Sequence, residues 1–285
     1  MKYIYSTVLI MLLSIPCAGQ EKEGSLTAGE VVDRIKAELT CSWAEKTVDT
    51  YKSGGPESEV TGIACTFMAT MEVLEKAAEQ GCNLVITHEP TFYNHLDETD
   101  QIQEDPVYAA KQALIEKHKL VVFRFHDHWH RTTPDGIYVG MIDKLQWKPY
   151  LLEGKRNIFD LQGKKLQELS DHMKKVFPDA IIRVIGDPDL EVYKAAFSAG
   201  APGSSTHIRL LQQDDINLVV IGEAPEWESL AYVRDASQAG FPKAMIILGH
   251  TVSEEAGMEY CALWMGKFIK EIPVRFIESG DPFHQ

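Results

Sequence analysis

Apolar residues follow two rhythms along this chain. One is the short unbroken run, as in Leu84-Val85-Ile86 or Leu120-Val121-Val122-Phe123, which fits a strand buried on both faces. The other is apolar spacing of three and four, which fits a helix with one buried side. Over 28–39, Val31, Ile35 and Leu39 recur four apart and predict a helix. Residues 48–60, rich in Ser, Gly and charge, read as a loop feeding a strand over Val60–Thr66. Val73, Leu74, Ala77 and Ala78 predict a helix over Met71–Glu79 that Gly81 closes, and a strand over Asn83–Thr87 follows. Strand, helix and strand within about thirty residues make a βαβ unit, hence parallel pairing.

The alternation continues. An acidic loop over 97–105 precedes a helix opened by Pro106 and running to about Lys119, then a strand over Leu120–Phe125. That strand leads into His126-Asp127-His128-Trp129-His130, a turn at Pro134-Asp135-Gly136, and a helix-to-loop region reaching Tyr150. Phe159, Leu166, Leu169, Met173 and Val176 predict one amphipathic helix over 158–177. Strands are expected over Ile181–Ile185, Val192–Ser198, Ile216–Ile221, Ala244–Leu248 and Pro273–Ser279. Helices are expected after the loop Gly200–Ser205, over Glu226–Ala239, and from about Ser253 to Lys270. The fold class is therefore α/β with mostly parallel strands. No Ser/Gly-rich linker and no short repeat divides the chain.

Composition narrows the setting. With 285 residues and 45% hydrophobic content, the chain suits one large α/β domain or two modest ones. A net charge of −14 argues against nucleic acid or an anionic membrane as partner. Residues 1–19 stand apart: Lys2, an apolar run from Val8 to Pro16, and small residues at Ala18-Gly19 form an export signal. That run is too short for a stable membrane span. Cleavage near Gly19 or Gln20 and a periplasmic or secreted destination are expected. Lipidation at Cys17 is the alternative, but Pro16 sits where a lipobox wants a small residue. The mature chain keeps Cys41, Cys65, Cys82 and Cys261, with no CxxC pair. Export permits a disulfide without pairing them, and Cys65 and Cys82 read as small buried hydrophobes.

Candidate chemistry gathers at strand ends, where open α/β sheets place their sites. Three ends carry ligand-type residues: His88-Glu89, the His126–His130 segment, and Gly249-His250 with Glu254 one helical turn on. Each has a plain alternative. A lone strand-end histidine is more often a core or surface residue, His250 and Glu254 could be an ordinary helix pair, and His126–His130 could be a solvated loop. Three coincident ends outweigh these readings. Imidazoles with carboxylates suit Zn²⁺, Mn²⁺ or Fe²⁺, and this many donors exceed what one catalytic zinc uses, so two ions with bridging ligands are expected.

Thr87-His88-Glu89-Pro90, then His126 to His130, then Gly249-His250-Thr251-Val252-Ser253-Glu254 form an ordered set. Through them the chain, from about residue 28 to its end, resembles the NIF-three-like family of dinuclear-metal proteins, often named GTP cyclohydrolase 1 type 2. Val60–Glu79, the Gly200–Ser204 loop and Ile221-Gly222-Glu223 support the resemblance. It implies a single domain over 20–285 of two α/β lobes, the first from the terminal segments and the second from the middle. Helices would pack on mostly parallel sheets, with the metal site between the lobes. It also implies a toroidal homohexamer with sites facing an internal cavity.

Carried over by position, the family's ligands are two adjacent His, an Asp, a His and a Glu. His88 matches the first, Glu89 stands at the second, His130 stands at the Asp, and His250 and Glu254 match directly. One His has become Glu and one Asp has become His, which preserves charge and donor count. His126, Asp127 and His128 remain open as ligands. Glu223 is the candidate base or ligand-orienting acid, with a plain N-cap or loop acid as the alternative, and Trp227 stands where the family resemblance implies an accessory His. The expected function is hydrolysis of a phosphoester, nucleotide-like or heterocyclic small molecule at two divalent ions. The rival is a non-enzymatic metal-binding or scaffolding ring. No Walker loop, Rossmann fingerprint or Ser-His-Asp signature specifies a substrate.

Overall fold

The computed structural model describes residues 25–283, so the export signal expected over 1–19, Cys17 included, lies outside the described residues. Among the described residues the ten strands are β1 (Tyr51–Ser53), β2 (Ile63–Thr66), β3 (Leu84–Thr87), β4 (Val121–Arg124), β5 (Ile158–Lys165), β6 (Arg183–Ile185), β7 (Glu191–Ser198), β8 (Leu218–Ile221), β9 (Ala244–Ile247) and β10 (Val274–Phe276). They form two five-stranded sheets, ordered β1-β4-β3-β2-β10 and β5-β7-β8-β9-β6. β10, β2, β3 and β4 pair in parallel, as do β7, β8 and β9, while β1, β5 and β6 are antiparallel edges. The parallel strands β2, β3, β4, β8 and β9 are buried throughout, which is why their sequences are apolar apart from Thr66, Thr87 and Arg124 at the carboxyl ends of the first three.

Nine α-helices cover the sheets among the described residues: α1 (Ala28–Glu38), α2 (Met71–Glu79), α3 (Pro106–His118), α4 (Asp127–Arg131), α5 (Gly136–Lys144), α6 (Leu166–Val176), α7 (Ser204–Leu211), α8 (Ala231–Gln238) and α9 (His250–Met265). Their starts are written locally. Thr27 and Glu30 make a capping box on α1, Asp105 caps α3 ahead of Pro106, and Asp135 caps α5. Strand alternation then assigns faces. Ile63, Leu84, Ile86 and Phe123 of one sheet and Phe197, Leu218, Val220 and Ile246 of the other share one core with α1, α5, α6 and α9. Ala64, Val85 and Val122 meet α2 and α3 on the opposite face, and Ala196, Val219 and Met245 meet α7 and α8. The described cysteines are free thiols, with Cys65, Cys82 and Cys261 buried. Among the described residues no helix is long and apolar enough to cross a membrane.

Four expectations change. The helix over 158–177 is instead β5 followed by α6. Phe159 and Leu161 are buried while Asp160 and Gln162 are exposed, a period of two, and Phe159 pairs with Ala195 of β7. Gln162, at φ +58°, sits in the register shift of this ladder, where no α-helix could run. The loop over 48–60 contains β1, recruited by β4 as an edge strand. The helix over Glu226–Ala239 opens with a wide turn at Glu226–Leu230, and only Ala231–Gln238 is α-helical. α9 begins at His250 rather than near Ser253 and ends at Met265.

Candidate metal centre

Strand ends from both sheets supply the site. β3 runs directly into His88 and Glu89, and β4 into Phe125-His126. β8 leads to Gly222-Glu223, and β9 to the first residue of α9, His250. The histidine segment after β4 is not a solvated loop but α4, which lifts His130 one turn above His126. Arg124 at the end of β4 is fully buried. It donates from Nε to the His88 carbonyl at 3.0 Å and lies 3.5 Å from the Glu89 carboxylate, tying the pair to the sheet.

The side chains converge closely. His88 Nε2 lies 3.2 Å from His130 Nε2 and 3.5 Å from Glu254 Oε2. Glu254 Oε1 lies 3.7 Å from His130 Nε2, and its Oε2 lies 3.2 Å from His250 Nε2. Glu89 Oε1 reaches His250 Nε2 at 3.6 Å and His126 Nε2 at 3.7 Å. Two ligand-type triads result, His88 with His126 and His130, and His88 with Glu89 and Glu254, each with donor atoms within 4.8 Å of one another. Gly200 permits this spacing: a Cβ there would lie 2.3 Å from Glu254 Oε1. The small-residue loop after β7 is thus a wall of the site.

A partner on each imidazole's other nitrogen selects its tautomer. His88 Nδ1 is 3.2 Å from the Phe125 carbonyl, which can only accept, so Nδ1 carries the hydrogen and Nε2 keeps its lone pair. His130 Nδ1 faces Asp135 at 3.2 Å, His126 Nδ1 faces Asp127 at 2.9 Å, and His250 Nδ1 faces Glu223 at 3.3 Å. Four Nε2 lone pairs therefore point at one another and at two carboxylates, which only protons or cations can reconcile. Burial, with the like charges of His130 and His126, pushes the His88 pKa well below the ordinary histidine value. Burial also opposes charge on His250, but Glu254, Glu89 and Glu223 outweigh it and raise its pKa to about 9. Burial is likewise outweighed at His130, where Asp135, Glu254 and Glu89 raise the pKa. The donor set fits divalent cations at this point.

The residues singled out by sequence can now be placed. His88, Glu89, His130, His250 and Glu254 come together, and His126 joins them through Nε2. His128 does not. It is buried and stacked on Trp43, donates from Nδ1 to Asp49 at 2.6 Å, and accepts the Ala44 amide at 2.8 Å. Asp127 turns from the cluster to hold His126. Burial works against its charge, yet hydrogen bonds from His126, Thr47 and the Val48 amide take its pKa down to about 2. Glu223 touches His250 alone of the cluster. Asp135 escaped the sequence reading because it looked like a turn residue. It has both jobs, capping α5 with Oδ1 and holding His130 with Oδ2.

The profile of Duf34/NIF3, NGG1p interacting factor 3, matches residues 27–282. The chain belongs to the Duf34/NIF3 family. This NIF3-family chain is 24% identical over 212 residues to the GTP cyclohydrolase 1 type 2 homolog of Clostridium acetobutylicum, spanning 70% of the chain and 75% of that relative. Its fold matches a Staphylococcus aureus hypothetical protein at TM-score 0.71 and 16% identity, covering 92% of this chain and 100% of the other. A Bacillus cereus protein related to NIF3 matches at TM-score 0.70 and 13% identity, covering 91% and 99%. At such identities the structural likeness speaks to the fold alone.

Proposed function

We propose that this NIF3-family protein is a metal-dependent hydrolase with two divalent ions held by His88, Glu89, His130, His250 and Glu254, joined by His126. The observation that carries the reading is the convergence of four tautomer-held Nε2 lone pairs on two carboxylates. An imidazole nitrogen has one lone pair and cannot be shared between ions, so a ligand shared by two ions would be a carboxylate. Glu254, with Oε1 toward His130 and Oε2 toward His88 and His250, would be the residue to hold both. The mixed imidazole and carboxylate donors suit Zn²⁺, Mn²⁺ or Fe²⁺. Bound there, such ions supply Lewis acidity and lower the pKa of water.

The chain's own residues do the rest. Asp135, Asp127 and Glu223 hold three imidazoles in register. Glu223 is half exposed and lines the adjoining cavity, so it can also take a proton from an incoming nucleophile. That cavity, of about 640 Å³ and bounded by Glu89, Glu223 and His250, favours an enzyme over a scaffolding ring, because a ring needs no small-molecule space beside its metals. The Clostridium relative's name brings in a nucleotide substrate. The export expected from residues 1–19 would separate this chain from intracellular GTP and points to another phosphoester or heterocycle. The family resemblance also supports a homohexamer, for which sedimentation analysis is the test.

Metal analysis of the purified protein is expected to find about two ions per chain. Near-zero occupancy, unchanged by His250→Ala, would remove the centre altogether. A phosphatase and esterase screen should show turnover that disappears in Glu254→Ala. Tight metal with no turnover on any class would favour the binding role.

A further inference from the structure

The cavity beside the metal donors has a chemistry of its own. Phe67, Met68, Met71, Val252 and Phe283 give it apolar walls, and into this lining comes Lys111. Lys111 sits on the buried face of α3 with Leu114 and Ile115 and is only 4% exposed. Packing alone would be served there by methionine, whereas burying an ammonium carries a desolvation cost unless a partner offsets it.

Lys111 has no such partner in contact; the charge of Asp97 favours its ammonium from a distance without outweighing burial. Its Nζ donates to the Thr91 carbonyl at 2.6 Å, which leaves two N–H groups. Among the described residues no carboxylate comes within ion-pair distance of it. The nearby acids are already engaged: Asp97 meets Lys52 at 3.1 Å and Arg124 at 3.7 Å, and Glu89 meets Arg124 at 3.5 Å. The two buried cations Lys111 and Arg124, with the partly buried Lys52, therefore face two acids, a local positive surplus inside a chain of net charge −14.

Two more features point the same way. The buried Thr91 hydroxyl, also in the lining, has no hydrogen-bond partner among the described residues. Tyr93 sits at φ +64°, in the left-handed region that side-chain-bearing residues rarely use, and its ring lies 5.0 Å from the ammonium. The strained turn thus sets an aromatic plane beside the charge. The other cation in the lining, Arg183, is exposed and pairs with Glu226, and Asp281 is the acid lining the cavity away from the metal donors.

We propose that this cavity takes a small molecule with an aryl or other apolar body and an anionic group, and that Lys111, with the Thr91 hydroxyl, binds the anion. Thr91 is two residues beyond Glu89, at most about 7 Å of extended chain, so one small molecule can touch both the ammonium and the metal donors. This names the substrate class for the hydrolase reading and rests on that reading for the bond that reacts. The anion contact itself needs no metal.

The test uses two fluorescent probes with one aryl frame, anilinonaphthalene sulfonate and its uncharged parent phenylnaphthylamine, titrated into the full chain. The sulfonate should bind tighter by about tenfold or more, the scale of one charge-assisted hydrogen bond. Lys111→Met should abolish that preference while leaving the parent's affinity unchanged, and Lys111→Arg should retain it. Equal affinities in the wild type, or a preference that survives Lys111→Met, would overturn the proposal. Should Lys111→Met fail to fold, a crystal structure of the wild type with the sulfonate decides: the anion on Lys111 Nζ supports the proposal, and any other seat refutes it. Repeating the titrations after chelation separates the two readings. A preference that persists in a chain without metal leaves the anion site standing whatever becomes of the hydrolase, and a preference lost with the metal shows that the metal, not Lys111, held the anion.

Discussion

At the scale of single residues, Glu89 and His130 are the two positions where the family resemblance leads one to expect a His and an Asp. The donors still converge because each change has a local accommodation. Glu89 reaches both His126 and His250, and His130 has Asp135 behind it. On the proposed reading, protons and metal would compete for the same Nε2 atoms. With its pKa raised to about 9, His250 carries a proton at lower pH that metal binding there would expel. Zn²⁺ affinity should therefore climb as pH rises and level off above about 9, with proton release visible by calorimetry in buffers of different ionisation enthalpy. A flat profile would show that His250 is not a ligand. Asp135 allows its two roles to be separated. Asp135→Asn keeps an N-cap acceptor but no longer accepts the His130 hydrogen, so metal affinity should fall about 10–100-fold with little change in melting. Asp135→Ala should lose that affinity and about 1 kcal/mol of stability besides, as a denaturant titration would show.

At the scale of elements, α9 matters most, because it carries His250 and Glu254 while packing against α5 and β2. Its seat on α5 is tight: a Cβ on Gly140 would lie 2.1 Å from the Ala256 carbonyl. Gly140→Ala should force the helices apart, cost about 1–3 kcal/mol in urea unfolding, and weaken metal binding although no ligand is touched. Unchanged metal affinity would mean that α9 tolerates displacement. Elements also show where reading the chain failed. β5 looked helical because Phe159 and Leu166 are seven residues apart, a spacing that helices share with mixed segments. Its identity depends on pairing with β7, a partner some thirty residues away that local periodicity does not register. β1 was missed for a similar reason, since β4 alone makes a strand of it.

At the scale of the whole molecule, the ligand-type residues come from distant parts of the chain, so metal occupancy and folding are coupled. A cation binding only the folded state at a hundredfold above its dissociation constant adds about 2.7 kcal/mol. Thermal melting should accordingly shift upward on loading and downward on chelation, and Glu254→Ala should erase the difference. The buried strands, most helix starts and three of the strand ends with ligand-type residues were legible in the residues alone, because apolar runs, caps and strand-end polarity are local properties. What remained open was which neighbours those side chains would meet. His128 and His126 are two residues apart and chemically identical, yet one is spent on Asp49 and the Ala44 amide while the other faces Glu89. Asp135 and Gly200 looked like a turn residue and a loop glycine, and nothing in the sequence singled out Lys111. Their roles depend on contacts between residues far apart in the chain, and a linear pattern carries no distance across a fold.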